Sequence, residues 1–532
     1  MPTIAVQRLR SSPCWLRPGF VAIMLRVARA GGLAQVANPP NDGAMTLPVP
    51  ADRAAISTVG QLRASGHAAR SLREEIRDNL LDALSSGRDP WPGLHGFADS
   101  VIPQLERALL AGHDVVLLGE RGQGKTRLLR SLVGLLDEWT PVIAGSELGE
   151  HPYEPLTNES RARAAELGDD LPVAWRHRDE RYAEKLATPD TSVGDLIGDV
   201  DPMRVAEGRR LGDPDTIHFG LIPRSHRGIV AINELPDLAE RIQVAMLNVM
   251  EERDIQIRGY VLRLPLDVLV VASANPEDYT NRGRIITPLK DRFGAEIRTH
   301  YPVELIDEVA VIRQEAHLAA PVPEALLEIL ARFTRALRAS PAVDQRSGVS
   351  ARFSIAGAET VAAAALHRAA VLGEGDPVAR VIDLSAAVDV LGGKVEFESG
   401  EEARGRAILD HLLRTSIAET ARHVFAGLDL APLVAALDGG AQITTGERVG
   451  SQELLDSLPA LDTPADASAD GSVDEAAEGA GAGSDLYDDI ADRLGAQTPG
   501  ERASAIELAL EGLYLARRIA KDVQGARAVY GR

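Results

Sequence analysis

Three short apolar runs stand out along the chain: Val115-Val116-Leu117-Leu118, Ile229-Val230-Ala231-Ile232 and Val268-Leu269-Val270-Val271-Ala272. Each is brief, rich in β-branched residues and bounded by glycine or charge. That combination predicts buried parallel strands over 114–118, 228–232 and 268–272. Helical spacing fills the gaps. Leu72, Ile76, Leu80, Leu81 and Leu84 recur at helical intervals within 62–84, and 97–111 reads as a second helix. Strands alternating with helices imply a parallel sheet covered on both faces. Beyond residue 303 the pattern changes. Residues 303–395 are Ala- and Leu-rich without strand-like runs, 401–440 continue helical, and 501–523 reads as a last amphipathic helix. Two stretches carry no pattern: the Pro-rich 39–53, read as a linker, and the acidic, low-complexity 461–485, read as a disordered tether. No apolar run approaches the roughly 18 residues that a membrane span requires.

Composition narrows the class. The chain has 532 residues, 57 Lys+Arg against 78 Asp+Glu, a net charge of −21 and one cysteine, Cys14. A lone cysteine excludes an intrachain disulfide framework and fits a reducing, cytoplasmic setting. The acidity argues against coating nucleic acid in bulk. The charge is uneven, because residues 1–41 hold five arginines (Arg8, Arg10, Arg17, Arg26, Arg29) and no acid. This leader is expected to be disordered, or to reflect a gene start placed upstream of Met45. His151 and His177 lie 26 residues apart without an intervening cysteine, which is not zinc-site spacing.

The chemistry begins where the first strand ends. Gly119-Glu120-Arg121-Gly122-Gln123-Gly124-Lys125-Thr126 matches G-x-x-x-x-G-K-[ST] at every fixed position. Glycines let the backbone curl so that its N–H groups face phosphate, and the following helix adds its positive end. Lys125 would reach the β- and γ-phosphates of ATP, and Thr126 would place a hydroxyl on Mg²⁺. The second apolar strand runs into Asn233-Glu234 where Asp-Glu is usual. Glu234 keeps a carboxylate that can polarise water. Asn233 keeps an oxygen toward the metal but loses the charge, so an active ATPase and a weakened one both remain open. The third strand leads to Asn275, suited to orienting the attacking water. Arg292, in Asp291-Arg292-Phe293, is a candidate arginine finger, with Arg282 and Arg284 as rivals and a surface ion pair with Asp291 as the plain alternative.

That order of elements resembles the AAA+ ATPases, and finer matches resemble one clade, the magnesium-chelatase ATPase subunit and the MoxR-like ATPases. Gly119–Thr126 is similar to the chelatase GERGxGKS/T loop, and Pro92–Gly96 sits where the family meets adenine. Residues 187–201, His218–Gly228 and Glu251–Tyr260 resemble further clade segments, the last forming a hairpin. Gly348–Ile355 resembles the MoxR "GASPRAxI" helix start and makes Arg352 the sensor-2 candidate. The resemblance covers about 90–395.

The resemblance implies an α/β fold: a P-loop AAA+ domain with a parallel sheet flanked by helices, then an α-helical lid and a helical C-terminal tail. The expected boundaries are a leader and linker over 1–58, the ATPase domain over 59–302 and the lid over 303–398. A helical region over 399–460, an acidic linker over 461–486 and a C-terminal helix over 487–532 complete them. It also implies ATP and Mg²⁺ as cofactors and a homo-oligomeric ring, expected to be a hexamer. In that ring Lys125 and Thr126 hold ATP-Mg²⁺, Glu234 activates water, Asn275 positions it, Arg292 acts from the adjacent subunit and Arg352 couples the phosphate to the lid. The movement would serve a separate von Willebrand factor A domain protein, remodelling it or assisting metal insertion. A sigma-54-type activator is the weaker reading, since no GAFTGA loop occurs in 145–227. A non-hydrolysing nucleotide-binding scaffold rests mainly on Asn233.

Overall fold

The computed structural model describes residues 47–200, 203, 217–252, 255–257, 260–262, 264–275, 283–344, 348–461 and 486–531. The leader with Cys14, most of the acidic tether and Arg282 lie outside the described residues. The chain divides into two compact units, 1–51 and 52–532.

The centre of the second unit is a five-stranded parallel sheet: β1 (Val115–Leu118), β2 (Tyr182–Leu186), β3 (Gly228–Asn233), β4 (Val268–Ala274) and β5 (Ala295–Arg298), in the order β5-β1-β4-β3-β2. β1, β3 and β4 are the three expected strands, and every residue of each is buried. β2 and β5 lie at the sheet edges. They bury only part of their side chains, so they carry Glu184, Lys185, Glu296 and Arg298 and do not read as apolar runs. Since β1, β4 and β3 are neighbours running the same way, their carboxyl ends lie side by side, where ligands bind in such sheets.

The helix expected over 62–84 is two helices. Val59–Ala64 is capped by Thr58, and Leu72–Ser86 begins at a Ser71/Glu74 capping box and stops at Gly87, which takes φ 71°. Most of the charged segment 145–190, up to the edge strand β2, belongs to an insertion whose antiparallel pair, Trp139–Ile143 with Val173–His177, shares a small core with Val59 and Leu62. His177 there packs edge-on against Trp139. The buried, bidentate pair Arg181–Glu75 (2.7 Å) ties this region to the helix Leu72–Ser86.

Two further buried histidines, His151 and His226, carry shifted acidities. Burial, helped by Arg227, holds both His151 and His226 down at about 3 from the usual 6.5. Between those values the unfolded chain takes up protons that the folded chain refuses, so their contribution is intact above about pH 6.5 and is lost as pH falls toward 3. The melting temperature is therefore expected to decline below pH 6.5, and His226→Gln, which can still accept from the Asp267 N–H (3.2 Å), should flatten that decline. A pH profile unchanged by the substitution would refute this.

The helical remainder forms one core. Buried residues from Val309 to Tyr530 pack together, so the segments expected as lid and tail are continuous. Helix Pro499–Leu515 lies inside it, with Ala503 through Leu510 all buried, rather than on the surface as an amphipathic helix. It ends at Leu515, short of the expected 523. Residues Ala520–Gln524 and Arg527–Gly531 instead make a hairpin around Gly525-Ala526, completed by Ile443–Gly446 into a three-stranded antiparallel sheet. The tail is thus helical with a small sheet, because a two-residue glycine turn follows the last helix. Arg380 and Glu507 form a fully buried ion pair (3.1 and 3.3 Å) that joins the final long helix to the lid.

Contrary to the apolar-run reading, helix Ala351–Leu372 is long and apolar enough, by length and composition, to cross a membrane. The apolar count comes from its many alanines, interrupted by Glu359 and Arg368. Its Phe353, Ala358, Val361, Ala362 and Ala365 are buried in the protein core, and Arg368 pairs with buried Asp383 at 3.0 Å.

Candidate nucleotide site

The P-loop turns between β1 and helix Lys125–Ser131, with Gly122 and Gly124 at φ 74° and 75°, conformations open to glycine. A side chain at Gly122 would collide with Ser350, the residue before helix Ala351–Leu372: a Cβ there would lie 2.2 Å from the Ser350 Cβ. The loop and that helix start therefore touch directly. Lys125 is buried, and its ammonium donates to Glu120 O (2.7 Å) and Asn275 Oδ1 (2.8 Å).

Asn275 connects two of the expected residues. Its Oδ1 accepts from Lys125 while its Nδ2 donates to Glu234 Oε2 at 2.6 Å. Glu234 follows β3 with φ 55° and ψ 47°, a left-handed conformation that a non-glycine residue adopts at some cost and that often marks function. Asn233 is buried at the end of β3. Its Oδ1 lies 3.1 Å from Ser273 Oγ and 3.5 Å from Thr126 Oγ1, and its Nδ2 donates to Glu184 Oε1 at 2.7 Å.

Arg121 through Thr126 of the P-loop, with Glu234 and Asn275, line one cavity of about 660 Å³, within the range of small-molecule sites, while Gly119 and Glu120 stand outside its lining. Its far wall is helical. His95 bonds Gln314 (2.8 Å), whose Nε2 reaches Gly93 O (3.2 Å), so the segment expected beside adenine does border the cleft. Arg352, in the first turn of its helix, lines the same cavity. Arg292 does not. It sits on helix Thr287–Arg292 and pairs with Glu251 instead of Asp291. The hairpin expected over 251–260 is made by Ile255–Ile257 and Tyr260–Leu262, after a helix that runs to Glu251.

Magnesium takes hard oxygen ligands and keeps several waters. Thr126 and Glu234 line the cavity, and the Asn233 amide oxygen, itself not among the lining residues, lies behind the Thr126 hydroxyl at 3.5 Å, so these oxygens suit magnesium beside phosphate. Sequence reasoning missed Glu184 and Ser273, which fix Asn233, and Gln314, which braces His95. Glu184 lies on an edge strand that carried no apolar signal.

No family model matches the chain. It is similar to the magnesium-chelatase subunit ChlI of Anabaena variabilis, 26% identical over 206 residues, 38% of this chain and 57% of that one. It is also similar to the magnesium-chelatase 38 kDa subunit of Acidiphilium rubrum, 28% identical over 246 residues, 44% of this chain and 63% of that one. The chain thus spans somewhat over half the length of these relatives. A structure of the BchI–BchD complex of magnesium chelatase matches 59% of this chain at 19% identity, with a TM-score of 0.32. The chain thus carries a P-loop on a parallel sheet and is similar in sequence to magnesium-chelatase subunits.

Proposed function

We propose that the chain hydrolyses ATP with Mg²⁺ and uses the resulting movement of its helical body to remodel a partner protein or to assist metal insertion. The observation that carries this is the relay Lys125–Asn275–Glu234, which joins the P-loop lysine to a candidate base within one cavity. Phosphoryl transfer asks mainly for positioning and charge stabilisation. Here Lys125 and the loop N–H groups would hold the phosphates, and Asn275 would orient Glu234 and the water it polarises. Bound magnesium would neutralise phosphate charge, held on the Thr126 side. The contact of Gly122 with Ser350 gives phosphate a route to the helix that carries Arg352. Arg292 fits a role in a neighbouring copy's site, in a ring that is hexameric in this reading, with a separate von Willebrand factor A domain protein as the partner and the cytoplasm as the setting.

ATP turnover of the purified chain tests the reading. Wild type should hydrolyse ATP in a magnesium-dependent way and Lys125→Ala should not; equal, negligible rates in both would favour a non-hydrolysing scaffold. Arg352→Ala should retain nucleotide binding and lose most turnover. Loss of binding alone, with turnover at saturation intact, would remove Arg352 from the sensor role.

A further inference from the structure

An amide stands at position 233, where such strands usually end in aspartate, and a carboxylate stands beside it on the next strand. β2 and β3 run parallel with Leu186 opposite Asn233, and Glu184, two residues earlier on the same face, reaches diagonally to the Asn233 amide. An ionised carboxylate only accepts hydrogen bonds. The Asn233 NH₂ must therefore face Glu184, and its carbonyl oxygen must face Ser273 and Thr126. The two hydroxyls cannot enforce this, because each can donate or accept. Without the carboxylate the amide could turn over and aim N–H donors at the place where a cation would sit.

Glu184 is itself anchored. Arg130, on the helix that follows the P-loop, grips it with two hydrogen bonds (2.7 and 3.0 Å), and the Tyr182 hydroxyl adds a third at 3.3 Å. The chain Arg130–Glu184–Asn233 thus runs from the phosphate-binding helix to the metal side of the site. A carboxylate thus stands one hydrogen bond from the Asn233 amide on the neighbouring strand, and the hydrogen bond that the amide donates to it polarises the amide oxygen.

We propose that Glu184 is a positioning residue that orients and polarises Asn233 toward magnesium, the two residues together replacing a single aspartate. This rests on reading the cleft as a magnesium–nucleotide site. It has an uncommon corollary. Asn233→Asp, which restores the usual residue, would set two carboxylates against each other at a contact now 2.7 Å long, so it should not improve the site while Glu184 remains.

The test is Mg²⁺ titration of ADP binding by the full chain, followed by calorimetry, for wild type, Glu184→Met, Asn233→Asp and the double variant. Glu184→Met should raise the Mg²⁺ concentration for half-maximal enhancement by about 10-fold or more, the usual cost of losing a group that orients a metal site. ADP binding in EDTA should not change. Asn233→Asp alone should be no better than wild type, and the double variant should return to within about 2-fold of wild type, the sign reversal expected of directly coupled residues. Should Glu184→Met not fold, the shape-preserving Glu184→Gln replaces it, with the same direction expected. A Glu184 variant as sensitive to Mg²⁺ as wild type, or a double variant as impaired as Glu184→Met, overturns the proposal alone. A wild type whose ADP binding ignores Mg²⁺ overturns the reading of the cleft and the proposal with it.

Discussion

Glu234→Gln is expected to lower ATP turnover by about 10²- to 10⁴-fold, the usual worth of a positioned general base, while nucleotide binding stays close to wild type. The prediction is sharp because glutamine preserves almost everything else. Its amide oxygen can still accept the Asn275 Nδ2–H that now reaches Glu234 Oε2 at 2.6 Å. The Glu234 N–H to Ser273 Oγ contact (3.3 Å) belongs to the backbone and survives, as does the left-handed conformation that aims the side chain into the cavity. What disappears is the capacity to take a proton from water. Phosphate release measured beside nucleotide affinity separates the outcomes. Undiminished turnover would place the base elsewhere, and a matching loss of binding would make Glu234 structural.

The second large effect lies far from the nucleotide. Arg380→Met should destabilise the helical body by about 3–5 kcal/mol, because it leaves the Glu507 carboxylate buried without its partner. Arg380 is fully buried and Glu507 nearly so. Arg380 also donates to Val449 O at 2.8 Å, so one guanidinium satisfies the final long helix and the loop before Ser451–Asp456 together. Removing both charges, as Arg380→Met with Glu507→Met, should recover most of the loss, since an apolar pair of similar volume avoids the desolvation cost. Denaturant unfolding of the three variants is the measurement. A single substitution costing under about 1 kcal/mol would mean that water reaches the pair.

The three interior strands and the P-loop were legible because both faces of those strands are buried and the loop chemistry is local. The edge strands were not, since half-buried strands such as Tyr182–Leu186 tolerate charge. Lys125, Thr126, Asn233, Glu234 and Asn275 could be assigned from position in order, yet their mutual contacts could not, because the sheet order β5-β1-β4-β3-β2 brings together residues up to 150 positions apart. Glu184 was invisible for the same reason: its role depends on which strand lies beside β3. In the tail, apolar residues such as Leu508 and Leu513 suggested a helix running to 523, but the hairpin signal at Gly525-Ala526 is only two residues long.

The continuity of the core from Val309 to Tyr530 has a mechanical consequence. Helix Ala351–Leu372 is a rod of 22 residues, about 33 Å long at 1.5 Å per residue, with its near end against Gly122 and one face packed into that core. A tilt of a few degrees at the P-loop is therefore amplified with distance and carried by the whole body, including the terminal sheet. In the remodelling role proposed above, the displacement would be largest at the end of the helical body farthest from the P-loop, and that distal surface is where a partner would feel it most.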